Sequence, residues 1–391
     1  MTELYFIIVG FLLVLAVFDL FVGVSNDAVN FLNSAIGAKV AKFKTVIIVA
    51  SFGVLIGALM SSGMMDVARH GIVQPSHYNF EEMMTIFLAV MVTDVVILDV
   101  FNSLGMPTST TVSLVFELLG AAFVTACIKV AGDDSLTFGM LINSDKALGV
   151  IIAIFVSVAI AFVSGVLIQW LLRLTFTFNY KKKLNYLIGV FGGIAFTALA
   201  YFILIKGLGK SPFISSDTRE WIDTNTNALL IYIFIGTTLL SWLLHFMKVN
   251  VLRIIVLLGT FALAMAFAGN DLVNFIGVPL AGLDSLLDFL NNGNGDTAAF
   301  MMTSLEESAK SPLLYLIIAG CIMVFAMVTS KKAQSVVKTS VDLSRQDEGE
   351  EMFGSSRVAR SLVRAFQSVS GFTKQYLPQS VRAWIGGRFK K

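Results

Sequence analysis

The sequence predicts an all-α polytopic membrane protein with inverted-topology repeats and broken helices. Of the 391 residues, 56% are hydrophobic and 14% are charged, whereas a soluble domain carries about 25% charged residues. Apolar runs of about 20 residues, the length that spans a bilayer as a helix, recur along the chain. A polar motif also occurs twice, each time within or just after such a run.

The apolar runs predict about nine membrane spans. They lie near 4–24, 43–63, 84–104, 111–131, 148–172, 184–206, 227–247, 251–269 and 313–330. They divide the chain into a first transmembrane repeat at 1–172, connecting transmembrane helices at 173–250, a second inverted repeat at 251–342 and a cytoplasmic tail at 343–391.

Basic residues in alternate loops predict the orientation. The loops at 38–45, 173–183 and 248–253 and the start of the tail at 331–338 contain lysines or arginines and no acid, whereas the loops between them are acidic. Because loops rich in lysine and arginine stay on the cytoplasmic side, we expect the N-terminus outside and the tail inside. The expected location is the cell (inner) membrane.

The repeated motif reads Asn-Asp-Ala-Val-Asn-Phe at 26–31 and Asn-Asp-Leu-Val-Asn-Phe at 270–275, an offset of 244 positions. In the predicted topology the first copy follows a helix that runs inward, and the second follows a helix that runs outward. Two copies of a motif that enter the membrane from opposite faces are typical of the inverted repeats of secondary transporters. Gly23 and Gly269 precede the two copies and predict a helix break at each, which would expose backbone groups as ligands.

The two aspartates of the motif predict a cation site. An ionisable side chain inside a membrane costs at least a few kcal/mol and is usually functional. Residues three or four apart share a helix face, and carboxylate and amide oxygens suit Na⁺ or a proton. The predicted cation ligands, with sodium at both aspartates, are Asp27, Asn30, Asp271 and Asn274. A purely structural role in helix packing does not explain the duplication.

A run of hydroxyl side chains after Pro107 predicts an anion pocket. Proline ends one helix and suits the first turn of the next, where unpaired N–H groups and the helix dipole favour an anion. The hydroxyl residues are Thr108, Ser109, Thr110 and Thr111; simple capping, the alternative, needs only one of them. Since no lysine or arginine is near, cations must enter with the anion, which indicates cation symport.

Further acids interrupt the predicted spans. Glu117 lies two turns beyond the hydroxyl run and is either a proton or sodium ligand or a hydrogen-bond partner of a neighbouring helix. Asp94 and Asp99 interrupt the span at 84–104, and Asp19, in the first span, is interpreted as structural.

The motifs at 26–30, 107–111 and 270–274 resemble the inorganic phosphate transporter family (PiT type), whose patterns are roughly G-A-N-D-V-A-N, repeated, and P-V-S-T-T. The resemblance implies a secondary active transporter that takes up inorganic phosphate with Na⁺ or H⁺, has no other cofactor, binds no nucleic acid and forms a homodimer. The phosphate-binding residues that it implies are Ser109, Thr110, Thr111, Asn26 and Asn270, with Thr108 and Glu117 as additional candidates.

The sequence departs from the family pattern in three places. Phe267-Ala268-Gly269 replaces a His-Gly-Ala, and Val112 replaces a histidine. The second P-x-S-T-T motif would fall at 351–355, where the chain reads Glu-Met-Phe-Gly-Ser. We therefore expect the chain to be a fragment of a longer protein with at least two further spans.

Several alternatives stay open at this stage. The cargo could be sulfate or a metal–phosphate complex, although only hydrogen phosphate can donate a proton to a buried carboxylate. An intramembrane aspartyl protease would pair two aspartates, but its Tyr-Asp and Gly-x-Gly-Asp patterns are not matched; a channel is also conceivable. The segment 355–369 is predicted to be a basic amphipathic helix on the inner leaflet.

Overall fold

A computed structural model describes residues 2–61, 69, 71–207, 214–307, 311–344, 354, 356–376 and 378–389. These residues form helices and no strands. The α-helices are α1 Thr2–Asp27, α2 Val29–Gly37, α3 Phe43–Met60, α4 Phe80–Ser103, α5 Thr110–Gly132, α6 Phe138–Leu141, α7 Ser144–Phe176, α8 Tyr180–Ala200, α9 Ser216–Phe246, α10 Val251–Asn292, α11 Leu313–Thr329, α12 Lys331–Leu343, α13 Arg357–Tyr376 and α14 Gln379–Arg388.

Short helical segments of other types complete the described fold. Pro75–His77 and Thr303–Glu306 are 3₁₀ turns, and Tyr201–Gly207 is a π-helix that extends α8. Eight of the described helices are long and apolar enough to cross a membrane, or nine when the bent pair α11–α12 counts as one span. The prediction of an all-α protein with about nine spans is confirmed.

The two helices that carry the repeated motif, α1 and α10, are packed antiparallel. Leu12, near the middle of α1, touches Gly282 late in α10, and Gly23, near the end of α1, touches Phe275 earlier in α10. A Cβ added at Gly23 would lie 2.1 Å from the Phe275 ring, so glycine is required for this approach. The antiparallel packing agrees with the predicted delivery of the two motifs from opposite directions.

Helix α3 lies directly against α10. A Cβ at Gly57 would be 2.1 Å from the carbonyl oxygen of Met265, and one at Gly53 would be 2.5 Å from that of Phe261. In membranes, small residues of this kind let two helix backbones approach closely, which is how helices gain packing energy without a hydrophobic driving force. The contact fixes the second motif helix against the first repeat.

The predicted helix breaks at Gly23 and Gly269 are wrong, because α1 continues through Gly23 and α10 through Gly269. Ala28, which separates α1 from α2, is itself helical (φ −54°, ψ −26°) and donates its N–H to the Val24 carbonyl over 2.9 Å. Glycine costs a helix only about 1 kcal/mol relative to alanine, and at Gly23 this cost is offset by the contact with Phe275.

Two other breaks interrupt the described helices. The chain between α4 and α5 is non-helical around Pro107, as its sequence predicts. Helices α11 and α12 are bent by 68° at Ser330, whose hydroxyl accepts a hydrogen bond from the Ala333 N–H and so caps α12. Val336 and Val337 anchor α12 in the core.

Polar tethers join the loops on the acidic side of the molecule. Arg69 is buried, forms a 2.7 Å ion pair with Asp284, and donates to the carbonyl oxygens of Ser304 and Glu307. These contacts join residue 69 to the end of α10 and to the following loop. The bundle is thus closed at this end by charge-assisted hydrogen bonds, which are about twice as strong as neutral ones.

The tail contains the predicted basic helix, here as α13. Its Val358, Leu362 and Phe366 side chains are exposed, and the Phe366 ring meets Phe162 of α7 edge-on at 6.3 Å. Of the segment 351–355, where the missing motif would fall, only residue 354 is among the described residues.

Candidate functional site

The site is built around the point where α4 ends and α5 begins. Gly105 adopts a positive φ of 67°, which glycine tolerates without strain, and turns the chain back towards α1. Pro107 follows, and Ser109 caps α5 by accepting a hydrogen bond from the Val112 N–H at 3.3 Å. Thr110 and Thr111 therefore occupy the first turn of α5, as predicted from the sequence, whereas Thr108 and Ser109, predicted for the same turn, precede the helix.

Asn26 fastens this turn to α1. Its Nδ2 donates to Asn102 Oδ1 at 2.9 Å and to the Met106 carbonyl at 3.1 Å, and its Oδ1 accepts from the Thr108 N–H at 2.8 Å. Asn102 in turn donates to the Val22 carbonyl at 2.7 Å. Asn26 is fully buried, and in this structure its amide holds the α4–α5 turn in place.

The first aspartate of the repeated motif binds the first threonine. Asp27 is 4% exposed and its Oδ2 accepts the Thr110 hydroxyl at 2.8 Å. A short bond to a buried, ionisable acceptor belongs to the stronger class of hydrogen bonds. The end of α1 and the start of α5 are thereby joined at one pair of side chains.

The second aspartate binds the next threonine. Asp271 Oδ1 accepts the Thr111 hydroxyl at 3.4 Å. Asn274 Nδ2 donates both to Thr111 Oγ1 at 3.0 Å and to Asp271 Oδ1 at 3.3 Å. Consecutive residues of one helical turn thus bind the equivalent aspartates of two antiparallel helices.

The structure brings only some of the sequence candidates together. Asn30 and Asn270 are exposed, and neither side chain hydrogen-bonds another described residue. Ser109 acts as a helix cap, and Thr108 takes part through its backbone N–H. Glu117 lies farther along α5, where its Oε1 accepts the Ser113 hydroxyl at 2.6 Å.

Three contributors were not identified from the sequence. Asn102 holds Asn26, and Ser330 accepts a 2.8 Å hydrogen bond from Ser25, the residue before the first motif. Ser113 binds Glu117. Asn102, five positions before Pro107, and Ser113, one turn before Glu117, could have been noticed in the sequence as polar residues inside predicted spans. Their hydrogen-bond partners could not, because these depend on how the helices pack.

The atoms available to coordinate a cation at the two aspartates are carboxylate, amide and hydroxyl oxygens. Such hard ligands suit Na⁺, and none of the ion pairs in the described ranges involves Asp27 or Asp271. The described residues include no group of three or more His, Cys, Asp or Glu side chains that could hold a metal ion. A cation here would therefore be held by mixed ligands.

The fold and the site define a multi-pass helical membrane protein in which two antiparallel helices present equivalent aspartates to the start of a third. The sequence profile of the phosphate transporter family matches residues 23–340, which include both motifs and the hydroxyl run. The chain belongs to the phosphate transporter family.

A solved structure described as "The sodium-dependent phosphate transporter" has a similar fold. Its TM-score is 0.62 at 20% sequence identity, and the match covers 86% of this chain and 78% of the other. No significant match was found among curated protein sequences.

Proposed function

We propose that this chain imports inorganic phosphate by symport with Na⁺, through alternating access around a midplane site at the start of α5. Membership of the phosphate transporter family supports the cargo, and sodium dependence is in the description of the similar structure. The observation that carries the proposal is that Thr110 and Thr111 bind Asp27 and Asp271, which are contributed by antiparallel helices.

The proposed cation site comprises the motif carboxylates with their amides. Asp27 with Asn30, and Asp271 with Asn274, offer oxygen ligands from each repeat. Hydrogen phosphate carries up to two negative charges and two carboxylates already lie at the site. No ion pair within the described part of the chain involves either aspartate. Because like charges in a low-dielectric site repel strongly, we propose that cations accompany the anion.

Phosphate is proposed to bind at the first turn of α5. N–H groups there lack partners within the helix and face the positive end of its dipole. The proposed ligands are Ser109, Thr110 and Thr111, together with Asn270 and with Asn26, whose amide would have to exchange a bond to Asn102 or Met106 for one to phosphate.

The threonine hydroxyls suggest how cation and phosphate binding are coupled. A hydroxyl has one proton to donate, and in this structure Thr110 and Thr111 donate theirs to carboxylates. When Na⁺ binds Asp27 and Asp271, the carboxylates would interact with Na⁺ instead of accepting hydrogen bonds from the two threonine hydroxyls. Each hydroxyl would then be free to donate to a phosphate oxygen, so that Na⁺ binding favours phosphate binding and, by linkage, the reverse.

Labelled phosphate uptake into proteoliposomes tests this proposal, with Na⁺ and pH gradients imposed separately and sulfate as competitor. We expect uptake that follows the Na⁺ gradient, is unaffected by sulfate, and is abolished by Asp27→Asn and by Asp271→Asn. Asp99→Asn is the matched control, because Asp99 is an exposed acid bound to Lys332. Uptake driven by pH alone would refute sodium coupling, and wild-type rates in both aspartate variants would refute the site.

The orientation and assembly are also proposed. The basic loops support an N-terminus outside and a cytoplasmic tail in the inner membrane, and the family resemblance implies a homodimer. The exposed apolar side chains of α13 face away from its arginines, and we propose that they lie on the inner leaflet, for which Phe366 must leave its contact with Phe162 of α7. Protease protection of tags at the two termini tests the orientation, and mass measurement of the detergent-solubilised protein tests the dimer.

A further inference from the structure

A second group of acids lies inside the bundle, away from the motif aspartates. Asp94 of α4 lies beside Asp19 of α1 and beside Glu117 of α5. Asp19 is eight residues before Asp27 and Glu117 is seven after Thr110. At 1.5 Å per residue the group is thus about 10 Å from the motif site.

The carboxyl oxygens of this group lack donors. Asp19 is fully buried and Asp94 is 2% exposed. Within the described ranges no donor reaches either oxygen of Asp19, Oδ1 of Asp94 or Oε2 of Glu117. Ser113 donates to the other oxygen of Glu117, Oε1, and so satisfies none of these four. A buried acceptor without a donor costs about 1–3 kcal/mol, and more when it is charged.

No cation among the described residues compensates these carboxyls. The charged groups that face Asp19 are all acids, namely Asp94, Glu117 and, from its own helix, Asp27. Helix α11, which packs against α1, contains no charged residue. The lysines of α12 are exposed, and the lysine of α5 is paired with Glu82, so neither helix supplies a cation to the group. The nearest acid of α10, Asp271, lies near Asp27 of the motif site.

Three adjacent carboxylates in such a place cannot all be ionised, because each charge is desolvated and repelled by the others. Either a metal ion or protons must compensate them. Among the described residues no group of three or more His, Cys, Asp or Glu side chains has the arrangement of a metal site, so protons are taken as the compensating charge, and Na⁺ is the alternative that the experiment below distinguishes. A proton added to one carboxylate forms an O–H group that can donate to the next, which supplies the missing donor and removes one charge.

We infer that Asp19, Asp94 and Glu117 form a buried proton-binding site, separate from the phosphate and sodium site. The inference goes beyond the proposed function, since it holds whatever cargo the protein carries. Protons enter from water, bind a carboxylate oxygen and are shared between neighbouring carboxyls. Ser113 is a positioning residue that orients Glu117.

Infrared difference spectroscopy of the phosphate-free protein in lipid nanodiscs, between acid and alkaline pH, tests the inference. A protonated carboxyl has a carbonyl stretch that a carboxylate lacks. We expect this band in the wild type, its loss or clear reduction in Asp19→Asn, Asp94→Asn and Glu117→Gln, and no change in the control Asp99→Asn. Because no phosphate is present, the outcome does not depend on the proposed cargo.

Two results would overturn the inference. One is a band that is absent from the wild type or unchanged in all three variants. The other is a band that Na⁺ removes at constant pH from the Asp27→Asn/Asp271→Asn double variant, which lacks the carboxyls of the proposed sodium site; this would show that the second group holds a metal cation instead. This titration leaves Asp19, Asp94 and Glu117 intact, so it decides the question even if variants at those three positions fail to insert.

Discussion

Replacing Thr110 by valine tests whether its hydroxyl carries phosphate binding as well as the bond to Asp27. Valine keeps the shape of threonine but has no donor. A hydrogen bond to a charged partner contributes about 1.5–3 kcal/mol, roughly 10- to 100-fold in affinity. Thr110 is 3% exposed and its bond measures 2.8 Å, so we expect the upper part of that range.

Thr111 provides an internal comparison of magnitude. It is only half-buried, and its bond to Asp271 is longer, 3.4 Å. A better solvated hydroxyl contributes less, so Thr111→Val should weaken phosphate binding by about 10-fold. Serine at either position keeps the hydroxyl and should change the affinity only a few-fold.

The assay is phosphate affinity of the purified protein at saturating Na⁺, repeated at low Na⁺. In each valine variant Na⁺ should raise phosphate affinity less than in the wild type, because one of the two hydroxyls that link the ligands is gone. Thr125→Val is the matched control on the same helix, since the Thr125 hydroxyl binds only the Ala121 carbonyl one turn back. If valine and serine were equally tolerated at both sites, or if the control were equally harmful, the hydroxyls would not be phosphate ligands.

Three further predictions concern stability, measured as the thermal unfolding midpoint in detergent. Gly23→Ala should destabilise the protein by about 1–3 kcal/mol, the usual cost of overpacking, because the added Cβ would meet the Phe275 ring. Gly10→Ala is the control and should not destabilise it, since Gly10 has open space around it. Equal unfolding midpoints for the two variants would argue against the close α1–α10 contact. Arg69→Met removes the ion pair with Asp284 and two hydrogen bonds to carbonyl oxygens. Since these partners are partly exposed to solvent, the loss should cost about 1–3 kcal/mol, and a wild-type midpoint would contradict the tether. Burial and a neighbouring carboxylate raise the pKa of Tyr78, and its buried hydroxyl has no partner within the described ranges. Tyr78→Phe should thus be neutral or stabilising, and a clear loss of stability would reveal a missing partner.

The sequence predicted the helices because apolar length is a local property, and it could name candidate site residues because the motifs are local too. Apolar length defines a span, and the repeat of Asn26-Asp27 at Asn270-Asp271 marks residues whose burial needs a reason. Pro107 likewise marks a helix boundary whatever the surroundings. These features were available without knowing which helices pack together.

The parts that could not be predicted depend on contacts between distant segments. Gly23 was interpreted as a hinge, but the structure shows that it makes room for Phe275, 252 positions away. Asn102 belongs to the site only because α4 returns beside α1. Asp19 was assigned a structural role since its acidic neighbours on α4 and α5 become visible only in three dimensions.

Thr110 and Thr111 are consecutive residues, so their side chains project about 100° apart around the axis of α5. A rotation of α5 that shortens one threonine–aspartate contact must therefore lengthen the other. The unequal lengths of 2.8 Å and 3.4 Å correspond to a helix turned towards α1. The opposite rotation would favour α10, so a single rigid helix can transmit the occupancy of one half of the molecule to the other without any flexible joint between them.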